Sequence, residues 1–573
     1  MFEFIILCII LLNSVEYIFG AMPMISQKTP PAYHDMALHS TVGLIVDAGS
    51  GGSRLHIYKW NQRVFRSPYP SVSFPSTDEN WTDVILPGIS AFKDNPFEVR
   101  SHVKLMIDYA KNLLKNVEDY WQYFPIYLKA TGGMRELSMN ERIAIMTVIR
   151  DYLSDSTLCP FYFEPEFARV ISGEEEAAFA WAAANFLMGT LVDPLEDNLA
   201  VHDGMSSAAQ TYGTLDLGGA STQIAFYVPN QEIMEGLFKF QIGRKHWNIY
   251  TKSFLQFGHN SARVRHLHDI STTAYAILSN STENNHFVYT SCFHSGYMEE
   301  YFNKDVQSLM NIHGPLVPST NQFQQCKDSL VPLLQLALDP FCEWVYHGEC
   351  GIAGQYQPSI PSEENMPFIG LSSYEIPWDI FDMPTTATLF DFSAKVEYMC
   401  SLSFSDLILY IETLKHIRED YAPMVPYFCF MGTYIVTLLT EGYGFPLTHT
   451  LTVLKKVDGH KVGWTLGAIL YEINSLPWLY KPESIPKAEN VITGLLAGNI
   501  GFILGALCMW LFLKQLADSE KEEEEETVEE DIDMTIENSI DSTGSQWGDQ
   551  IMQYLPFVKN NRWNQQQQYE EVA

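Results

Sequence analysis

Two stretches of this sequence share one layout: Asp47-Ala-Gly-Ser-Gly-Gly-Ser-Arg54 and Asp216-Leu-Gly-Gly-Ala-Ser-Thr-Gln223. Each follows a short apolar run that ends at an aspartate, as a buried strand entering a turn does. The glycines let backbone N–H groups approach and bind phosphate oxygens, and the serine hydroxyls add donors. The aspartate at each strand end can hold a hydrated divalent cation between the loops. One such stretch alone is typical of a hairpin turn, but the matched pair predicts a phosphate-binding cleft.

The segments around these loops alternate between strand and helix. Thr41–Val46, Pro125–Ala130 and Thr211–Leu217 are predicted strands that run into glycine turns, whereas Asn140–Leu153 and Glu174–Leu187 are predicted helices. This alternation predicts an α/β architecture. The paired loops resemble the two phosphate loops of the two-lobed actin/hexokinase/Hsp70-like (ribonuclease H-like) ATPase fold, in which each lobe gives one loop. Neither loop has the strand–glycine–helix spacing of a Walker A or Rossmann motif.

The composition excludes two broad classes of protein. Of the 573 residues, 46% are hydrophobic and 18% charged, which is unlike a mainly disordered chain. The formal net charge is −34, so the chain lacks the cations that a sequence-independent nucleic-acid binder needs. We therefore expect no nucleic-acid partner. Residues 514–573 hold 16 acidic and 4 basic residues and are predicted to be an acidic, disordered cytosolic tail.

One uncharged run near the carboxyl end predicts a membrane anchor. Residues 491–513 are 23 residues without a charge, enough to cross the ~30 Å hydrocarbon core of a bilayer as a transmembrane helix. The run contains two GxxxG pairs, which permit close helix–helix approach and hence a homo-oligomer, although glycine is also common filler in membrane helices. The pairs are Gly494/Gly498 and Gly501/Gly505.

The amino-terminal end predicts entry into the secretory route. Residues 1–24 contain a nine-residue apolar run, the length of a signal h-region, but no A-x-A cleavage site follows, so we predict a signal or an N-terminal membrane segment. Seven of the nine cysteines lie between the two apolar ends without CxxC or Cys/His metal spacing, which favours disulfides over a zinc site. Asn80 and Asn280 begin glycosylation sequons. Residues 25–488 are therefore predicted to be lumenal or extracellular.

Five motifs follow one another along the chain: DAGSGGSR at 47–54, ATGGMREL at 130–137, ISGEEEAAFAWAAANFLMG at 171–189, LDLGGASTQIAF at 215–226 and VGWTLGAILY at 462–471. In this order they resemble the signature regions of the nucleoside triphosphate diphosphohydrolases (apyrases). Further stretches resemble the Golgi/lysosomal-type branch of that family: LPGISAF at 86–92, FLQFGHNSARVRH at 254–266 and GQYQPSI at 354–360. The resemblance spans roughly residues 40–475 and implies hydrolysis of the terminal phosphate of nucleoside di- or triphosphates with Ca²⁺ or Mg²⁺.

The same resemblance implies roles for particular residues. Glu176 matches the family's general base, a carboxylate that deprotonates a water in line with the leaving phosphate. Its neighbours Glu174 and Glu175 are interpreted as solvated charges at a helix start. Three polar residues match positions that hold the attacking water and the phosphoryl oxygens: Thr131, Ser221 and Gln223. Two carboxylates match the metal site, through metal-bound waters: Asp47 and Asp216.

Phosphate and nucleotide contacts are implied in the same way. Backbone N–H groups of both glycine loops match the phosphate-binding positions, and Arg54 and Arg135 match family arginines. Arg135 is equally suited to be a structural ion-pair partner, and Trp464 either borders the nucleotide or is a core tryptophan. The loop residues are Ser50, Gly51, Gly52 and Ser53 in the first and Gly218, Gly219 and Ala220 in the second.

Three positions depart from the family pattern. Gly51 replaces a serine and removes one hydroxyl donor, Gly132 replaces an alanine, and Ala177 replaces the glycine after the catalytic glutamate. The base, water and metal positions are intact, so we expect an active enzyme. A catalytically impaired nucleotide-binding receptor or scaffold, and another phosphatase of the same fold, are the alternatives.

The resemblance also bears on disulfides and compartment. Cys292–Cys326 and Cys400–Cys429 occupy places of family disulfides, and Cys342–Cys350 is a third predicted pair that closes a short loop. The branch suggests a Golgi or other secretory or endolysosomal membrane, with the plasma membrane as the alternative. In such a lumen, UDP or GDP left by sugar transferases are the expected substrates.

Overall fold

The structure is a computed structural model. It describes residues 30–481 and 504–515, apart from gaps at 67, 69, 79, 192–210, 229–231, 243–244, 279–286, 335–343, 345–348, 363–365, 415–418, 455 and 458–459. Several predictions lie outside the described residues: the N-terminal segment 1–24, most of the 491–513 span, the tail beyond 515, the Asn280 sequon and Cys342.

The strands carry the architecture. In chain order they are β1 (Val42–Ala48), β2 (Ser53–Lys59), β3 (Val64–Phe65), β4 (Thr82–Ile85), β5 (Ile126–Ala130), β6 (Ala168–Val170), β7 (Gly213–Leu217), β8 (Ser221–Tyr227), β9 (Leu237–Ile242), β10 (Lys245–Leu255), β11 (Phe287–Tyr289), β12 (Met298–Asn303), β13 (Ser308–His313), β14 (Phe368–Ser372), β15 (Thr386–Thr388), β16 (Thr450–Val453), β17 (Lys456–Val457), β18 (His460–Lys461) and β19 (Leu479–Tyr480).

The helices connect and cover the strands. They are α1 (Tyr33–His39), α2 (Val99–Leu113), α3 (Gly132–Arg135), α4 (Met139–Ser154), α5 (Gly173–Leu187), α6 (His259–Leu278), α7 (Gln322–Leu330), α8 (Glu375–Ile380), α9 (Leu389–Cys400), α10 (Phe404–Thr413), α11 (Phe428–Thr437), α12 (Trp464–Ser475) and α13 (Leu504–Gln515).

Two large sheets define two lobes, and the five strands of the first sheet have the same topology as β10-β8-β7-β14-β16 of the second. The first lobe has the sheet order β4-β2-β1-β5-β6 and the second has β15-β16-β14-β7-β8-β10-β9. In the first, β1 pairs antiparallel with β2 and parallel with β5, which pairs parallel with β6. In the second, β7 pairs antiparallel with β8 and parallel with β14, which pairs parallel with β16. The predicted two-lobed α/β fold is confirmed.

Helices α5 and α12 lie in a core that the two lobes share. Alternation along β1 sends Ile45 into this core and its neighbours Leu44 and Val46 into the outer core of the first lobe. The shared core also takes inward-facing residues of the second sheet, including Ile369. The two helices approach closely at Gly467, where a side chain would lie 1.9 Å from the Phe179 carbonyl oxygen. The helix that carries Glu176 is therefore fixed from both sheets.

Disulfides tie the second lobe together. Cys292 bonds Cys326 and Cys400 bonds Cys429, which confirms two of the predicted pairs. Cys350 is disulfide-bonded, while its predicted partner Cys342 is outside the described residues. Cys159 is a reduced thiol buried in the outer core of the first lobe.

Among the described residues, the helical stretch Tyr421–Gly442 is the one long and apolar enough to span a membrane, and it is mostly buried. Its side chains pack in the core of the second lobe, as those of a core helix do. Helix α13 is a shorter apolar helix that overlaps the carboxyl-terminal part of the predicted 491–513 span.

Candidate active site

Both glycine stretches form hairpin turns of the same construction. The Gly49 N–H donates to the Gly52 carbonyl at 3.0 Å, and the Gly218 N–H donates to the Ser221 carbonyl at 2.9 Å. The Gly218 amide is therefore used inside its own loop, which differs from its predicted role as a phosphate donor. Each turn joins the antiparallel pair at the centre of its sheet. The two predicted loops thus occupy equivalent places in the two lobes.

Glycines let the two loops and the segment after β5 come together. A side chain at Gly219 would lie 2.8 Å from the Ser50 hydroxyl, and one at Gly133 would lie 2.8 Å from the Ser50 Cα. A side chain at Gly132 would lie 2.9 Å from the Ser221 hydroxyl. Real Cβ atoms need more room than this, so these close approaches depend on glycine. Gly132, which departs from the family pattern, allows the segment to sit against the second loop.

Glu176 lies in the first turn of α5. Ser172 caps the start of the helix: its hydroxyl accepts from the Glu175 N–H, while the Glu175 carboxylate accepts from the Ser172 N–H. This capping box satisfies two amides that the helix leaves open. Arg169 also donates two hydrogen bonds to Glu175, at 2.8 and 2.6 Å. The interpretation of Glu175 as a solvated charge is therefore wrong, because it holds the helix start in place.

The Glu176 carboxylate is buried and has an unusual affinity for protons. Burial raises its pKa to about 7, and the negative charges of Asp216 and Asp47 act in the same direction. The Arg135 guanidinium opposes the shift, since it favours the ionised form. A carboxylate with a pKa near neutrality is suited to accept a proton from water and then release it. The adjacent Ala177 fits in the core without disturbing the helix.

Arg135 and Gln223 both reach the Glu176 carboxylate. The Arg135 Nη2 donates to Glu176 Oε2 at 2.8 Å and to the Ser221 hydroxyl at 3.0 Å. The Gln223 Nε2 lies 3.4 Å from the same Oε2 and donates to Ser221 Oγ at 2.7 Å. Within the described residues these contacts fall on Oε2, so Oε1 is the oxygen that can face a water. Arg135 is therefore an ion-pair partner, and its partner is the candidate base.

The Ser221 hydroxyl proton is available for a hydrogen bond to a bound substrate or water. A serine hydroxyl has one donor and two acceptor positions. Its oxygen accepts from Arg135 and from Gln223, as given above. The hydroxyl proton can then point only to a third group, such as a phosphoryl oxygen or a water.

Asp47 and Asp216 supply the charge that a cation would need. Asp216 is buried, which raises its pKa, while a hydrogen bond from Ser372 opposes that shift. Asp47 lies 3.6 Å from the Arg54 Nη1, and its side chain is 14% exposed. No cluster of three or more His, Cys, Asp or Glu side chains forms a metal cage in the described part of the chain. Two carboxylates fit a hydrated ion instead, because Mg²⁺ often keeps several waters and binds through one or two carboxylates and substrate phosphates.

The remaining predicted residues lie in different settings. Thr131 follows β5 and is buried, and its hydroxyl does not cap α3. Gly51 has open space around it, and Arg54 is partly exposed. Trp464 is buried in the shared core at the start of α12, which supports the interpretation of a core tryptophan.

Two site residues were missed from the sequence. Ser253 on β10 accepts from Gln223 Nε2 at 3.1 Å. Ser372 is the last residue of β14, and its side chain is hydrogen-bonded to Asp216. Its φ of 58° lies in the left-handed region that a non-glycine residue rarely adopts. Both lie far from the five motifs in sequence. The only available signal was the strand pattern, since each belongs to a strand next to a strand that carries a loop residue.

Comparison with known proteins finds sequence similarity to nucleoside phosphatases along most of the chain. The family model described as GDA1/CD39 (nucleoside phosphatase) matches residues 37–492. Ectonucleoside triphosphate diphosphohydrolase 1 of Bos taurus is 28% identical over 482 residues, covering 79% of this chain and 85% of that protein. The Golgi apyrase of Saccharomyces cerevisiae is 28% identical over 506 residues, covering 81% and 72%. The guanosine-diphosphatase of Schizosaccharomyces pombe is 28% identical over 441 residues, covering 74% and 72%.

Proposed function

Because this chain belongs to the GDA1/CD39 (nucleoside phosphatase) family and is a nucleoside di- or triphosphate phosphohydrolase, we propose that it releases the terminal phosphate by in-line attack of a water that Glu176 deprotonates. The observation that carries the proposal is the buried Glu176 carboxylate, whose Oε2 is held by Arg135 and whose pKa is raised to about 7. A base of this kind is partly ionised at neutral pH and can accept the proton as the water attacks.

The neighbouring side chains place the water and the phosphoryl group. Gln223 and Thr131 hold the water beside Glu176 Oε1, and the Ser221 hydroxyl donates to a phosphoryl oxygen. The second loop contributes amides of Gly219 and Ala220, and the first contributes those of residues 50–53. These fixed donors stabilise the charge that develops on the phosphoryl oxygens. Because the water is the nucleophile, no phosphoenzyme forms.

Ca²⁺ or Mg²⁺ is the proposed cofactor, held through water by Asp47 and Asp216. A divalent cation bound there would neutralise phosphate charge and stabilise the leaving group. The protein must also supply positive charge at the site, since the chain is acidic overall and the substrate is an anion. Backbone amides and Arg54 therefore supply the positive electrostatic potential that draws the phosphates in.

UDP and GDP are the proposed substrates, and a Golgi or related secretory membrane is the proposed location. Support comes from the similarity to a Golgi apyrase and a guanosine-diphosphatase. The similarity to an ectonucleoside enzyme keeps the plasma membrane as the alternative. Residues 25–488 would face the lumen, anchored by 491–513, with 514–573 in the cytosol. The bonds Cys292–Cys326 and Cys400–Cys429 agree with an oxidising compartment.

Phosphate release by the purified full-length protein tests the reaction. UDP, GDP, ATP and polyphosphate are compared with Ca²⁺ or Mg²⁺, first for the natural chain and then for Glu176→Gln. We expect nucleotide hydrolysis that falls by about 10²–10⁴-fold in the variant. Glu174→Gln is the matched control, because Glu174 is in the same helical turn and its loss should leave the rate unchanged. Equal activity of Glu176→Gln, or turnover of polyphosphate alone, would contradict the proposal.

A further inference from the structure

Ser253 lies directly opposite Gln223 in the second sheet. In the antiparallel pairing of β10 with β8, the two residues are cross-strand partners. Partners of this kind project from the same face of a sheet. The Ser253 hydroxyl accepts from the Gln223 Nε2 at 3.1 Å. The contact is therefore built into the strand register and does not depend on a loop.

The orientation of the Gln223 amide needs such a contact. The last torsion of a glutamine side chain has a broad, roughly two-fold preference, so the side chain alone does not fix which end of the amide points where. Three acceptors surround Nε2: Ser221 Oγ at 2.7 Å, Ser253 Oγ at 3.1 Å and Glu176 Oε2 at 3.4 Å. An ionised carboxylate accepts only, so the nitrogen must face it. The carbonyl oxygen is then directed away from this group of acceptors and can accept from a water.

Ser253 also seats the helix that carries the candidate base. A side chain on Gly173, the first residue of α5, would lie 2.0 Å from the Ser253 Oγ and 2.1 Å from its Cβ. The backbone at the start of α5 therefore packs directly against the Ser253 side chain, because Gly173 has no side chain. Ser253 lies where Gln223 and the first turn of α5 meet.

We propose that Ser253 is a positioning residue for the hydrolysis: its hydroxyl holds the Gln223 amide in the orientation that faces Glu176 and, through it, sets the place of the attacking water. The inference rests on the proposed function, since it assumes that Gln223 holds that water. Ser253 touches neither the water nor the phosphoryl group in this scheme. Its contribution appears in the rate of the chemical step and leaves nucleotide binding alone.

The test compares Ser253→Ala with the natural full-length chain. Alanine keeps the Cβ that fits beside Gly173 and removes only the hydroxyl. We expect kcat to fall about ten-fold, because a Gln223 amide that is held less firmly places the attacking water less well, with KM unchanged and the thermal unfolding midpoint lowered by at most about 3 °C. Thr251→Val is the matched control: Thr251 is buried two residues earlier on β10, and its hydroxyl contacts the Gly236 carbonyl at 3.5 Å. It should keep the natural kcat.

A double-mutant cycle with Gln223→Ala separates positioning from a merely structural role. If Ser253 acts through Gln223, its replacement adds nothing once Gln223 is gone. Additive losses, or a natural kcat in Ser253→Ala beside a strongly reduced kcat in Gln223→Ala, would overturn the inference while leaving the proposed function intact. Natural activity in both Gln223→Ala and Glu176→Gln would instead overturn the proposed function itself.

Discussion

Asp47 and Asp216 occupy the same place in two hairpins of the same construction. Asp47 pairs across its hairpin with Arg54, and Asp216 pairs across its hairpin with Gln223. The two sheets thus deliver a matched pair of carboxylates to the cleft, but with different cross-strand partners. In the first hairpin the cross-strand partner is the Arg54 guanidinium. In the second it is the Gln223 amide, which contacts Glu176. In the proposed mechanism both hairpins contribute phosphate donors, and the second also carries the amide that holds the attacking water.

Removing either aspartate should weaken the response to divalent cations. Asp47→Asn or Asp216→Asn is expected to raise the Ca²⁺ or Mg²⁺ concentration for half-maximal activity by about ten-fold or more, the usual effect of losing a group that holds a metal through other ligands. Cation titrations of phosphate release measure this. Asp119→Asn, on the exposed surface of the first lobe, is the control and should leave the titration unchanged. Unchanged titrations in both cleft variants would exclude the assigned cation site.

The pH profile should depend on Arg135. Burial raises the pKa of Glu176 to about 7, and Arg135 lowers it from a still higher value. Because the base must be ionised, kcat/KM should fall as the pH drops through that pKa. Removing the guanidinium in Arg135→Gln should raise the pKa and move this acidic limb to higher pH by roughly one unit. Arg135→Lys keeps a positive charge and should shift the limb less. Superimposable acidic limbs for the natural chain and Arg135→Gln would refute the coupling.

The glycines that depart from the family pattern should respond in opposite ways. A Cβ added at Gly51 would meet no described atom within 4 Å, and the backbone there is not left-handed, so Gly51→Ser should fold normally and regain a hydroxyl donor for phosphate. We expect an equal or lower KM. Gly132→Ala would place its methyl 2.9 Å from the Ser221 hydroxyl, which should displace that group and lower kcat. Steady-state kinetics of the two variants provide the comparison; a lower kcat in Gly51→Ser than in Gly132→Ala would contradict it.

A buried ion pair between β5 of the first lobe and α12 should contribute to the free energy of unfolding. Lys129 on β5 is 1% exposed and donates to Glu472 of α12 at 2.6 Å. Burial lowers the pKa of Lys129, and Glu472 opposes that shift. Glu472→Gln leaves a buried ammonium without its counter-charge and should cost about 3 kcal/mol of unfolding free energy. Thermal unfolding should show a lower midpoint, partly restored in Lys129→Met with Glu472→Gln. A midpoint unchanged by Glu472→Gln would rule out this role.

Local sequence patterns predicted most of the secondary structure near the site. The predicted strand 125–130 is observed as β5, Ile126–Ala130, and the predicted helices 140–153 and 174–187 are α4, Met139–Ser154, and α5, Gly173–Leu187. These elements follow from apolar periodicity and from caps such as Ser172, which act over a few residues. The contact of Arg169 on β6 with Glu175 on α5 was missed, because a charge pattern does not show whether a helix residue finds a partner on a neighbouring strand.

The sequence by itself determined the class of chemistry, which is phosphate hydrolysis. The features that indicated it are two aspartate–glycine turns, a glutamate at a helix start and the order of the motifs. Only the tertiary structure decided how these groups meet. Strand pairing brings Ser253 and Ser372 to the site. Arg135, a candidate phosphate ligand in the sequence, forms an ion pair with Glu176. The physical reason is that pairing and burial are set by residues far apart in the chain. Turn formation and helix capping depend on neighbours, whereas the pKa of a carboxylate depends on everything packed around it.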